Sequence, residues 1–520
     1  MPEAEAGPGQ FSHRETVVII IGLMLGMFLA ALDQTIVATA LPRISAELGG
    51  AGQLSWVVSA YLLTSTAATP IYGKLSDLYG RKLMLQTAIL IFLTTSLLCA
   101  MAGTMGQLIT FRALQGLGGG GLMAMAHATI ADVLSPRERG KYQGYFAAVF
   151  AVASVIGPVL GGVFADHLTW RWVFWINLPI GAGALAVSQY ALRRLTIRRL
   201  RHRIDYAGAV LIMTGVGCVL LITTMGGNEA AWDSPLIEGL AGAALVLFAL
   251  CVVQERQASE PILPPRLFRN PIFVVANLLN LMVSLTMLGS IVFMPLFLQL
   301  VYGLQAGDAG LMLIPLSGAT TLGAVSAGRL VAATGRYKLF PVIGLACNFA
   351  GMALISTVTA ATPLPLTALY MVLTGLGLGA VMPVMLVAIQ NAIEVRDLGT
   401  GTASNSFFRS MGGSFGVALF GAVLIARLNT LVGAVPGHDV LGGEPGTALL
   451  HAGADALKLA PPELRAEIAA AVTGAFHDMF RVGAAISLLN LLTAGFLKEL
   501  PLRTTSGLAD KRAEAPALGD

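Results

Sequence analysis

The strongest constraint in this sequence is the recurrence of near-continuous apolar runs of about twenty residues, each long enough to cross the hydrocarbon core of a bilayer. A segment in lipid must satisfy its own backbone N–H and C=O groups, and runs of this length do so as helices. Composition agrees. Of 520 residues, 56% are hydrophobic and 12% charged, roughly half the charged share of a soluble domain. The expected fold class is an all-α membrane protein.

Runs bounded by charge, Pro or Gly clusters place helices near 17–42, 53–72, 83–102, 107–130, 143–165 and 171–192. Two more follow near 205–225 and 236–256, and a second set near 271–300, 308–330, 339–358, 364–390, 401–428 and 478–498. The implied organisation is an N-terminal tail (1–16), a six-helix bundle (17–192), a basic linker with two additional spans (193–270), a second six-helix bundle (271–498) and a C-terminal tail (499–520). The second bundle contains a long outside loop, 430–477. In that loop Glu463, Arg465 and Glu467 stand opposite Leu464, Ile468 and Val472. The pattern is that of an amphipathic helix lying on the membrane or over a pore mouth, or of a solvated loop.

Retained loops are enriched in Lys and Arg. Arg193, Arg194, Arg198, Arg199, Arg201 and Arg203 form the strongest cluster. With the N-terminus inside, these fall on the cytoplasmic side, as do the basic residues around Arg81, Arg139, Arg266 and Arg336, and an even number of spans returns the C-terminus there. The polar start leads into a run longer than a signal-peptide core, so the expectation is an uncleaved first helix. The net charge of +4 comes from arginines at the ends of apolar runs, which excludes a basic nucleic-acid face. Cys99, Cys218, Cys251 and Cys347 show no ligand-like spacing, so no metal site is expected and packing is their expected role.

An internal repeat divides the chain in two. Residues 73–82 read GKLSDLYGRK and residues 328–338 read GRLVAATGRYK. Each follows the second helix of its half and pairs a Gly with another seven positions on, with basic residues behind it. Ala332 stands in the second copy where the first has Asp77.

Four motifs carry a family resemblance that spans nearly the whole chain. Residues 73–82 resemble the loop signature between helices two and three of the major facilitator superfamily. Leu108-x-x-x-Arg112-x-x-Gln115-Gly116-x-Gly118 resembles its fourth-helix motif, and Gly157-Pro158-x-x-Gly161-Gly162 its fifth-helix antiporter motif. Leu32-Asp33-Gln34-Thr35-Ile36-Val37, with Ala40-Leu41-Pro42, Trp56 and Tyr61, resembles the fourteen-helix drug/proton antiporter branch, multidrug efflux permeases. The resemblance implies the major facilitator fold with two extra helices. It also implies a gate at Gly73, Asp77, Gly80 and Arg81 that latches onto the penultimate helix, which begins near Gly401 and carries Asn405 and Arg409. Gly157, Pro158, Gly161 and Gly162 are implied to act in gating as the mark of exchangers. Leu78 departs from the pattern where the family carries a basic residue.

The residues give their own reading beside it. Asp33 is the one carboxylate deep in the first helix, where a charge costs at least about 2.5 kcal/mol unless a cavity or a partner relieves it. It can cycle between protonated and ionised forms as its surroundings open to either side, or it can be a satisfied structural group. Arg112 lies within about a turn of the same depth. It is expected to pair with Asp33 so that protonation loosens the pair; the alternative is that it ties helix four to backbone carbonyls. Gly157, Pro158, Gly161 and Gly162 remove a backbone donor and several side chains from one patch, giving close helix contact and a kink. Asp77 is placed to cap a helix N-terminus or to pair with Arg81.

The expected binding cavity lies between the halves at mid-membrane. Met27, Trp56, Tyr61, Phe293 and Phe297 supply adaptable apolar and aromatic wall, and Gln34, Gln115 and Asn405 polar contacts, with Asn277, Asn280 and Gln390 of the same kind. His127 reads as a packing residue. The Gly118–Gly121 run lacks the Gly-Lys-Ser/Thr of a nucleotide-binding loop, so neither an enzyme nor a nucleotide cofactor is expected. The expected function is proton-driven export of amphiphilic or cationic drugs or related natural products across a bacterial plasma membrane. The partners are a small lipophilic molecule, protons and the bilayer, and the protein is expected to be a monomer. The competing readings are a nutrient symporter or facilitator, an exporter for one metabolite, and a membrane sensor.

Overall fold

The computed structural model describes residues 13–49, 53–191, 205–226, 230–258, 261–436 and 462–503. The arginine cluster at 193–203, most of both expected tails and residues 437–461 of the expected outside loop lie outside them. The first half comprises α1 (His13–Leu48), α2 (Leu54–Tyr79), α3 (Arg81–Ala100), α4 (Met105–Val133), α5 (Pro136–His167), the short α6 (Trp172–Trp175) and α7 (Asn177–Ala191). Then come α8 (Tyr206–Met225) and α9 (Pro235–Gln257). The second half comprises α10 (Pro271–Tyr302), α11 (Ala306–Leu311), α12 (Ile314–Thr334), α13 (Leu339–Ile355), α14 (Leu364–Ala392), α15 (Leu398–Gly433) and α16 (Pro462–Ala494). No strand occurs among the described residues.

Local chemistry sets where the helices begin. Ser135 and Glu138 form a reciprocal capping box with Pro136 in the first turn of α5, Thr104 caps α4, and Asn270 caps α10 ahead of Pro271; each satisfies backbone donors that the first turn leaves unpaired. Gly80, at φ 97°, is the single residue between α2 and α3. Its repeat partner Gly335 closes α12 at φ 71°. Both sit in a region that a side chain disfavours.

Eight of the described helical segments are long and apolar enough to cross a membrane; α2, α4, α5 and α16 are as long but richer in glycine or polar residues. Large apolar side chains point outward along the bundle, among them Leu90, Val159, Leu245, Val253, Leu322 and Leu492. In water these would be a liability; in lipid they are the ordinary exterior. The protein is a multi-pass membrane protein with an all-helical fold.

One expectation changes at the C-terminal end. The run carrying Glu463, Arg465 and Glu467 is no separate surface helix, because α16 runs unbroken from Pro462. Ile468 and Val472 are fully buried in the core of the second half. Arg465 and Glu467 are exposed on the other side of this long helix, so an amphipathic pattern arises without a separate surface element.

The two halves meet along α2 with α15 and α5 with α12, and α4 and α5 also reach α15 and α14. Helices α8 and α9 pair with each other and rest on the outside of the α2–α15 junction through Ile212, Val216, Leu220 and Cys251 against Ala67 and Phe407. The two repeat turns, with Lys74, Arg81, Lys82, Arg336 and Lys338, make up the basic end of the bundle.

Candidate functional site: a buried ion pair and a polar contact between the halves

Asp33, at mid-length in α1, is completely buried. Its Oδ2 accepts from Arg112 Nη1 of α4 at 2.5 Å. Its Oδ1 accepts from Gln115 Nε2 at 3.0 Å and from Asn177 Nδ2 of α7 at 2.8 Å. Arg112 is as deeply buried: Nε donates to the Val57 carbonyl of α2 at 3.2 Å, Nη1 also to Gln115 Oε1 at 2.7 Å, and the guanidinium stacks 4.3 Å from the centroid of the Tyr61 ring. Ser96 of α3 accepts from Gln115 and Asn177 and donates to the Phe174 carbonyl. Thus α1, α2, α3, α4 and α7 converge on one carboxylate. A charge pair taken out of water is tolerable only when hydrogen bonds accompany it, and here both Asp33 oxygens accept from buried donors.

Helix α4 reaches this position because its glycines let neighbours approach. A Cβ at Gly116 would fall 2.3 Å from the Tyr61 carbonyl of α2, and one at Gly118 2.7 Å from the Phe92 nitrogen of α3. Helix α5 closes on α1 in the same manner beside Asp33. A Cβ at Gly157 would overlap Thr35, and one at Gly161 would overlap Thr39 and the Ile36 carbonyl, while Gly162 faces open space. Thr35 donates to the Ala153 carbonyl across this seam at 3.0 Å. Gly161→Leu should therefore lower stability by about 1–3 kcal/mol or more, as an overpacked interior does, while Gly162→Leu should leave thermal stability in detergent unchanged.

The basic end is shut by a second polar constellation. Asp77 pairs with Arg81 at 2.6 Å and caps α15 across the interface, accepting from Gly399 N at 3.2 Å and Thr400 N at 3.0 Å. Arg81 continues to Asp132 of α4 at 2.7 Å. Arg139 of α5 donates to Gln390 of α14 at 3.0 Å and to the Leu134 carbonyl at 2.9 Å, and Gln390 donates to Thr402 at 2.9 Å. At the opposite end Glu47 accepts from Arg171 and from Trp170 at 2.9 Å. The Arg171 hydrogen bond, joined by that of Trp170, outweighs desolvation and holds the Glu47 carboxyl below its usual range, so this brace between α1 and α6 stays charged at neutral pH.

The structure gathers some of the sequence-predicted residues and disperses others. Asp33, Arg112, Gln115 and Tyr61 form one cluster, the last two as its buried lining. Met27 is buried in the core of the first half, and Gln34 and Trp56 are partly exposed. Phe297 packs among Tyr302, Phe476 and Phe480, and Phe293 is buried in the second half. Asn405 joins Asn280 at 2.9 Å and Asn277 at 3.3 Å between α15 and α10. Gly73 and Asp77 meet α15 at the backbone of Gly399 and Thr400; Arg409 lies deeper along the same helix and takes no part in the latch. Sequence reasoning passed over Asn177, Ser96 and Asp132, and took Cys99, whose Sγ lies 3.6 Å from Gln115 Oε1, for packing alone.

A helical bundle of two halves, with a buried acid–base pair in one and a closed contact at one end, defines a membrane solute carrier. The chain belongs to the Major Facilitator Superfamily, whose family model matches residues 23–417. It is 40% identical over 417 residues to the multidrug transporter protein MdtP of Bacillus subtilis, covering 80% of this chain and 76% of that one. It is 37% identical over 505 residues to an uncharacterized MFS-type transporter of Mycobacterium tuberculosis, covering 97% and 72%. Among solved structures the proton:xylose symporter XylE shares the fold, with a TM-score of 0.60 at 13% identity, over 96% of this chain and 100% of that one. The protein is a transporter and not an enzyme.

Proposed function

We propose that this chain is a proton-coupled antiporter that exports amphiphilic drugs or related natural products by alternating access, with both termini in the cytoplasm of a bacterial cell. The observation that carries the reading is the Asp33 carboxylate, buried and held by Arg112, Gln115 and Asn177. The export direction is supported by the multidrug names of relatives at 38% and 40% identity.

In this reading a proton arriving at Asp33 removes the charge that Arg112 faces. The guanidinium keeps Gln115, the Val57 carbonyl and the Tyr61 ring, and α1 loses its strongest tie to α4. Movement of α1 is passed to α5, whose Gly157 and Gly161 lie directly against Thr35, Thr39 and the Ile36 carbonyl of α1, and α5 bears on α12 and α14 of the other half. The basic end, shut by Asp77 on α15, corresponds to the state open to the outside. No cofactor is needed; the proton gradient is the energy source, and one copy of the chain contains the whole site.

The test is a lipophilic fluorescent dye in proteoliposomes with an imposed pH gradient. An acidic exterior, relative to the compartment holding the basic end, should drive dye outward at least about tenfold faster than no gradient. Dye movement that ignores the gradient, or runs with the proton, would end the antiport reading.

A further inference from the structure

A cavity of about 440 Å³ lies outside the Asp33 cluster, where α8 rests against α2 and α3. Its walls are mostly apolar, with Leu75 and Leu78 of α2, Met84 of α3 and Ala209 of α8. Tyr79, Leu83 and Tyr206 also line it and are exposed, so it communicates with the outside of the bundle at the basic end. Two charged side chains reach it, Lys74 of α2 and Asp205 at the start of α8. Asp205 is 8% exposed. Its Oδ1 caps α8, accepting from Gly208 N at 2.9 Å, and accepts from Gln254 Nε2 of α9 at 2.8 Å. Its Oδ2 is buried with no donor among the described residues. Glu255 of α9, also buried, accepts from the backbone of Ile262 and Leu263 and stands close by. A Cβ at Gly208 would fall 2.3 Å from Asp205 Oδ2 and 3.1 Å from Glu255 Oε1, so this glycine leaves a space bounded by two carboxylates.

A carboxylate oxygen shut away from water is costly unless a donor meets it, and a charged donor meets it best. A second carboxylate beside it adds like-charge repulsion, which a low-dielectric surrounding strengthens. Both effects call for a cation that carries N–H donors. Lys74 brings the opposite charge to the same cavity, and an ammonium is a point-charge partner for phosphate. The remaining wall is hydrocarbon, suited to an acyl chain. Ammonium, phosphate and acyl chain occur together in an aminophospholipid. A choline headgroup has the positive charge but no N–H to give Asp205.

We infer that this cavity binds a phospholipid with a primary ammonium headgroup, drawn from the leaflet that meets the basic end. The ammonium donates to Asp205 Oδ2 beside Glu255, the phosphate faces Lys74, and acyl chain lies along Leu75, Leu78 and Met84. Leu78 directly follows Asp77, so the bound lipid braces α8 and α9 against the turn of α2 that carries the contact with α15.

Binding of phosphatidylethanolamine and of phosphatidylcholine with the same chains to the full-length protein in detergent, read by native mass spectrometry, tests this. Neither substrate nor gradient is present, so the result stands apart from whether protons drive transport. The native protein should prefer the ethanolamine lipid by at least about tenfold, as a hydrogen bond between charged groups implies. Asp205→Asn can keep the cap on α8 but turns an amide N–H toward the ammonium, and it should abolish that preference. Lys74→Gln should weaken both lipids alike by about threefold or more, since both carry the phosphate. Glu238→Gln, at an exposed carboxylate of α9, should change neither. Equal native affinity for the two lipids, or a preference that survives Asp205→Asn, would overturn the assignment. So would equal competition by chainless glycerophosphoethanolamine, which would place a soluble amine there instead of a lipid.

Discussion

Asp33→Asn is expected to abolish proton-driven dye accumulation, lowering the gradient-dependent rate by at least about a hundredfold, because the acid proposed to carry the proton is gone while its shape remains. The same change should also destabilise the protein. Arg112 is buried and would face an amide, and removing one partner of a buried pair costs about 3–5 kcal/mol. The carbonyl oxygen of the introduced amide can keep one donor, so a value at the lower end is expected. The double variant Asp33→Asn with Arg112→Gln removes the stranded charge. It should recover part of the lost thermal stability and none of the coupling. That separation distinguishes a proton-carrying acid from a purely structural one, for which stability and transport would return together. Undiminished coupling in Asp33→Asn alone would falsify the mechanism proposed here.

The legible part of this site was the part that is costly in lipid. Asp33 and Arg112 stand out in apolar runs because ionised groups are expensive there, and two expensive groups at similar depth invite pairing. Asn177 and Ser96 complete the cluster, yet small polar residues occur throughout membrane helices. Their meaning comes from the crossing of α3, α4 and α7, which no run of sequence displays. Gln115 was visible as a motif member and was assigned to the cavity wall, since sequence gives its helix and depth but not the direction it faces.

The gate was half legible for a related reason. The repeat turn at Gly80 and the acid at Asp77 are local signals. Asp77 both pairs with Arg81 and caps a helix, the two roles its sequence position offers, but the helix it caps across the interface is α15, at the positive end of that helix's dipole, and no residue type announces which helix that is. Asn405 and Arg409, the conspicuous polar residues of that helix, are where the resemblance points instead. Helix ends show the same limit: α16 is already helical at Pro462, well ahead of the apolar run near 478–498, because polar residues can continue a helix where hydropathy falls.

Gly73→Val is expected to hold the basic end open. Its Cβ would fall 2.3 Å from Ala403 Cβ and 2.8 Å from the Gly399 carbonyl of α15, and neither is the flexible end of a long side chain. Helix α15 must move outward by about 1 Å to regain ordinary contact. The bonds from Gly399 N and Thr400 N to Asp77, at 3.2 and 3.0 Å, have no slack for that shift. Overpacking of about 1–3 kcal/mol would fall on the closed arrangement and not on one in which the halves have parted there. Each interval of about 1.4 kcal/mol is a tenfold change in population, so a conformer that is in the majority becomes a minority. Transport should drop about tenfold or more. Hydrogen exchange should quicken at the basic ends of α4 and α14, around Asp132 and Gln390, while the Asp33 cluster stays protected. Asp77→Asn should move exchange in the same direction by less, since it weakens the latch without inserting a wedge. Native transport rates and unchanged exchange in Gly73→Val would show that α2 and α15 need not touch for the basic end to close.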